Sequence, residues 1–327
     1  MSGLIRAELL RFRKRRSLQI IVLAVPMLVA FFFVAGLMSF GPEQPPCDPA
    51  AIRDQLISEG FGLGMPPEDL EPLLAETVAQ QCQFVEQQRE QYQQIRSTYA
   101  FPQSLVTVLG TGTFLLFALI LLTATTIGDD FSWATIRTTL LASSHRVRLL
   151  AVRLGALVVI ALGLVASLLL LGVSLPATIA AVGTQLPPAA PVNLGGLAVM
   201  VVGLLEASLV VITFAAAATL LVRSGSLTLV VMLVYVVVEA AILTLLLQFD
   251  AFRHDGSLEW LLDAFPVRGL STLLEVASRV ASGVTRYEGD VIRGLGDATV
   301  PMVALLVWAL VFGAIAFRRF ARMDIAE

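Results

Sequence analysis

The stretch LGGLAVMVVGLLEASLVVITFAAAATLLV, residues Leu194–Val222, holds one charged side chain, Glu206, and no proline. A helix crosses the hydrocarbon core of a bilayer, roughly 30 Å thick, with about 20 apolar residues, so this run can span with tilt. Five more runs share its character: Leu18–Phe40, Leu105–Ile127, Leu154–Val182, Leu227–Leu247 and the shorter Val300–Phe317. The predicted fold class is therefore an all-α integral membrane protein with six transmembrane helices. Of 327 residues, 57% are hydrophobic and 14% charged, and the mean hydropathy is +0.84. Soluble domains hold about 45–50% apolar and about 25% charged residues, so the composition excludes an ordinary soluble enzyme and a disordered chain. A net charge of −3 gives no ground for a nucleic-acid partner. The first run follows a basic segment, as a signal peptide would. It is too long for the usual apolar region, and no small-residue cleavage site follows, so it reads as a retained span.

Basic residues near the ends of spans mark the cytoplasmic side. RFRKRR precedes the first span, Arg137, Arg146, Arg148 and Arg153 surround the second connection, Arg223 sits between spans four and five, and Arg318, Arg319 and Arg322 follow the sixth. With six crossings these all fall on one side. The expected topology is a multi-pass cell-membrane protein with both termini cytoplasmic and an acidic first loop (Glu68, Asp69, Glu71, Glu76) outside.

Outside the bilayer, residues 1–17 place Leu4, Ile5, Leu9, Leu10 and Phe12 among basic residues at helical spacing. That is the pattern of an amphipathic helix in the interface; a plain basic topology anchor is the alternative. In residues 41–103, Ala50–Glu59 and Glu68–Ser97 read as helices flanking the GFGLGMPP break, which predicts a helical hairpin. Both cysteines of the chain, Cys47 and Cys82, fall there. An extracytoplasmic compartment permits a disulfide between them, and the absence of any other cysteine favours it over two unpaired thiols. Residues 248–299 hold two apolar stretches too short to cross, Leu258–Phe265 and Leu270–Val280, broken by Pro266 and Gly269; they read as interfacial or re-entrant helices before span six.

Two carboxylates interrupt the spans, Glu206 in the fourth and Glu239 in the fifth. A charge at a helix centre costs about 2.5–3.5 kcal/mol on insertion scales. At 1.5 Å per residue they lie about 18 Å and about 12 Å below the outer ends of their spans, so they could share one depth and one pathway. Either they contact substrate or a cation on a translocation route, or they are protonated carboxyls bonded to Ser208, Thr213 or a backbone carbonyl and fix helix packing. His145 and His254 lie in separate loops, so no hydrolytic constellation or metal site has a centre.

Residues 128–149, GDDFSWATIRTTLLASSHRVRL, form the second connection, which begins with two acids. Asp129 and Asp130 suit the positive end of a helix dipole. Phe131–Leu141 can form a short amphipathic helix, and Ser143 and Ser144 can stop it and cap the next. An ordinary basic loop is the alternative.

Asp130, then Thr135, Ile136 and Arg137, the pair Leu140 and Leu141, and Ser143 and Ser144 followed by Arg146 resemble the second-connection motif of ABC-2 type transporter permease subunits. Ala134 stands where that family usually has Gly, and no Pro follows Ser143. The six-span layout, the N-terminal amphipathic helix and the short outer helices before span six match the family as well, while residues 41–103 are an insertion relative to it. The resemblance implies that residues 1–17 are an elbow helix. It also implies that residues 128–149 carry a coupling helix docked on a separate cytoplasmic ATPase subunit through Asp130, Phe131, Trp133, Ile136, Leu140 and Arg137. It further implies two paired permease chains, identical or paralogous, in the lipid bilayer, acting as an exporter. ATP and Mg would bind the partner subunit. Nucleotide binding by a P-loop needs GxxxxGK[ST], and the single lysine, Lys14, lies in a glycine-free basic stretch, so this chain is expected to be non-catalytic with no cofactor of its own. A secondary transporter or channel using Glu206 and Glu239 for ions, and a membrane scaffold or sensor whose hairpin binds a partner, are the competing readings.

Overall fold

The structure, a computed structural model, describes residues 10, 14–39, 45–61, 66–132, 146–182, 186–188, 191–253, 262–282, 286–287, 290–291 and 298–322. Ten helices are taken in chain order: α1 Arg16–Ser39, α2 Pro49–Ser58, α3 Pro67–Ser97, α4 Gln103–Gly110, α5 Gly112–Ser132, α6 Arg146–Ala181, α7 Leu194–Val222, α8 Gly225–Arg253, α9 Pro266–Ala281 and α10 Thr299–Ala321. Arg286–Tyr287 and Asp290–Val291 pair as a minimal antiparallel ribbon. Among the described residues, six helical segments are long and apolar enough to cross a membrane: α1, α4 with α5, α6, α7, α8 and α10. The chain is an all-α, multi-pass membrane protein.

α7 stands at the centre. It is apolar on every side, the pattern of a helix with no solvent face, and it packs against α5, α6, α8, α9 and α10. The core around it combines Met200, Leu204, Ile212 and Leu220 with Leu115, Leu119 and Leu122 of α5 and Leu157 and Leu168 of α6. α1 and α8 lie at the margin and turn Met27, Phe31, Leu233 and Val237 outward, as lipid-facing helices do.

Several boundaries differ from the sequence reading. α6 begins at Arg146 rather than near Leu154, and its apolar segment Val147–Ala181 is 35 residues long. At 1.5 Å per residue that is about 52 Å, well beyond what a perpendicular crossing of a core of about 30 Å needs. α5 runs on through Ser132. Asp129, Asp130 and Phe131 therefore lie in the closing turn of a spanning helix instead of opening a separate one. Nothing in GDDF breaks a helix that is already propagating, even though the dipole disfavours acids at this end. Pro266 opens α9 rather than interrupting it, and Gly269 lies inside that helix. Proline suits the first helical position, where its missing N–H costs no hydrogen bond.

α2 and α3 pack on each other as a hairpin. Asp48 caps α2 by accepting from Ala50 N at 3.0 Å, and Arg53 pairs with Glu71 of α3 at 2.6 Å. Cys47 and Cys82 are within bonding distance, with Cα atoms 5.4 Å apart. Tyr99, in the turn after α3, sets its ring edge-on to Phe33 of α1 with centroids 4.9 Å apart, and burial raises its hydroxyl pKa. The predicted N-terminal amphipathic helix falls almost wholly outside the described residues.

Candidate functional site

The two intramembrane carboxylates meet different neighbours. Glu239 of α8 is 2% exposed. Its Oε1 accepts hydrogen bonds from the backbone N–H groups of Val267 at 2.7 Å and Arg268 at 3.2 Å. These are first-turn donors of α9, which have no partner within their own helix. The residue that flanks the helix start, Phe265, supplies no side-chain cap, so a carboxylate from another helix does so. The positive end of the helix dipole suits an oxygen acceptor at this position.

The surroundings close this contact off. Tyr235, one turn earlier on α8, packs edge-on to Phe214 of α7 at 4.6 Å. Phe214 stacks on Phe312 of α10 at 4.3 Å, and Phe312 stacks on Trp308 at 5.2 Å. The Trp308 indole N–H donates to Ala264 O at 2.8 Å, in the turn that leads into α9. Arg268 lies 3.6 Å from Asp263, whose Oδ1 accepts from Thr272 at 2.9 Å. At the far end of α9, Asn193 N donates to Ala281 O at 2.8 Å, and a Cβ on Gly196 would collide with the Ala281 backbone. α9 is thus pinned at both ends.

Glu206 of α7 faces α6 instead. It lines an open, apolar groove of about 240 Å³ between the two helices. Its Oε2 is buried and has no hydrogen-bond partner among the described residues, which is true of Glu239 Oε2 as well; the difference is that neither oxygen of Glu206 meets a helix terminus. The hydroxyls the sequence offers as partners are already engaged: Ser208 donates to Leu204 O at 2.7 Å and Thr213 to Leu209 O at 2.8 Å. The sequence reading allowed both acids to face one pathway; here one faces the α9 terminus and the other the α6 wall.

At the other end of the bundle, α5 meets the α7–α8 turn. A Cβ on Gly128 would lie 2.5 Å from Gly225 Cα, and one on Gly225 would lie 2.7 Å from Ala124 O, so the two backbones touch. Arg223 ends α7 with a left-handed φ of 58°, which reverses the chain into α8. Of the predicted coupling residues, Asp130 and Phe131 lie in the last turn of α5, while Trp133, Ile136, Arg137 and Leu140 lie outside the described residues.

Sequence reasoning missed Tyr235, Asp263, Arg268 and Trp308. The one signal available was Pro266, which marks a helix start and hence a terminus that needs an acceptor. Among the described residues no three His, Cys, Asp or Glu side chains gather to hold a metal ion. Comparison with known proteins gives no match to a family model, a curated protein or a solved structure.

Proposed function

We propose that the chain is the membrane-spanning permease subunit of an ATP-binding-cassette transporter. It exports a hydrophobic or amphipathic substrate and is driven by a separate ATPase docked on the connection between α5 and α6. The observation that carries this reading is the contact of Gly128 with Gly225. It roots the start of that connection against the α7–α8 turn. A push on the connection from the cytoplasm would then reach α5, α7 and α8 together, which is what a coupling element must do. The missing P-loop supports a separate engine, and the motif from Asp130 to Arg146 supports its docking point. Two such chains pair around the pathway, with both termini on the ATPase side. Glu239 serves in this scheme as the cap of α9, and its engagement there weighs against an ion-coupled carrier that uses both acids.

The test is purification of the tagged chain from its native membrane in mild detergent, followed by assay of vanadate-sensitive ATP hydrolysis. The expected result is an associated ATPase that is lost in Trp133→Asp and Ile136→Asp variants while the chain stays monodisperse. Purification without any ATP-hydrolysing subunit, or an ATPase retained by both variants, rejects the reading.

A further inference from the structure

We infer that the groove between α6 and α7 is a binding site for a lipophilic cation, a protonated amine on a compact apolar body, with Glu206 as its counter-ion. The walls are Val158, Ala161 and Leu162 of α6 and Val202, Leu209 and Ile212 of α7. They offer burial to an apolar body and no cation to the carboxylate. The buried Glu206 Oε2 has no hydrogen-bond partner among the described residues, and the Ser208 hydroxyl beside it donates to its own helix. A polar atom held in apolar surroundings without a partner is costly, and unlike Glu239, whose other oxygen is held by two backbone N–H groups, Glu206 opens onto a groove that can admit one from outside. An ammonium group supplies both a charge and several N–H donors to one carboxylate.

Position narrows the ligand further. Glu206 lies about 18 Å along α7 from Leu194, near the middle of a core of about 30 Å. A lipid headgroup amine stays at the interface and does not reach this depth, whereas a compact free amine does. The groove is open along its side, with Leu162 and Val202 exposed at its rim, so the ligand arrives laterally from the hydrocarbon. That this ligand is the transported cargo rests on the proposed function; that it binds does not.

The experiment uses the full chain in phosphatidylcholine nanodiscs, with adamantan-1-amine as probe and adamantan-1-ol as its neutral counterpart, and empty nanodiscs correcting for partition. The amine is expected to bind saturably, and the alcohol about tenfold more weakly or worse. Glu206→Gln is expected to weaken amine binding by about tenfold or more. Leu162→Trp, which fills the groove and keeps the carboxylate, should weaken it similarly and decides the matter if Glu206→Gln does not fold. Amine binding within about twofold of wild type in the folded variants, equal binding of the alcohol, or no saturable binding at all overturns the inference. No ATPase takes part, so failure here leaves the transporter reading untouched, and failure of ATPase association leaves this one untouched.

Discussion

Glu206 and Glu239 are the same side chain on adjacent helices of one bundle, and they do opposite things. Glu239 meets the start of α9 and gives its Oε1 to two backbone N–H groups. Glu206 meets a wall of aliphatic side chains. A membrane-embedded acid therefore cannot be assigned a role from its depth or its cost of insertion. What distinguishes the two is whether a set of orphan donors has been folded against the carboxyl. Where it has, one carboxyl oxygen is engaged by the architecture; where it has not, the carboxyl lines a groove.

The contrast can be broken most forcefully at α9. Glu239→Ala leaves the Val267 and Arg268 N–H groups without their acceptor, and a cost of about 3 kcal/mol is expected. Hydrogen exchange over residues 266–281 should accelerate, and the thermal midpoint in detergent should fall. Glu239→Gln keeps a carbonyl acceptor and should lose less than half as much. A stable protein with unchanged exchange in Glu239→Ala would remove the capping role. Gly196→Val acts on the opposite end of the same helix, where a side chain would displace the Ala281 backbone; overpacking of this kind costs about 2 kcal/mol, read by the same exchange measurement with faster exchange toward Ala281. Glu206→Gln is the smallest perturbation. With no partner to lose among the described residues, it should change stability by no more than about 0.5 kcal/mol. If it destabilises the fold as much as Glu239→Gln does, the distinction between the two acids fails.

Much of the architecture was readable in advance because it rests on short-range rules. Ala50–Glu59 reads as a helix, and α2 runs from Pro49 to Ser58 behind the cap Asp48. Glu68–Ser97 shows helical spacing, and α3 covers it. Cys47 and Cys82 had no other partner to find, and their sulfurs lie at bonding distance. Misreadings arose where one residue type serves two purposes. Pro266 both breaks and starts helices. Asp129 and Asp130 favour a helix start, yet α5 carries them along because extending an existing helix is easier than ending it without a breaker.

The sequence by itself determined which of the described segments are long and apolar enough to cross a membrane. Inside hydrocarbon every backbone N–H and C=O must be paired within the crossing segment, so apolar length alone names the helices. Tertiary structure decided which acid caps a helix and which lines a groove. The donors that satisfy Glu239 lie 28 and 29 residues further along the chain, and no local pattern around Glu239 announces them. Gly196 and Gly203, by contrast, let α9 lie against α7, and only that docking brings its N-terminus under Glu239 while leaving the α6 side of α7 open at Glu206.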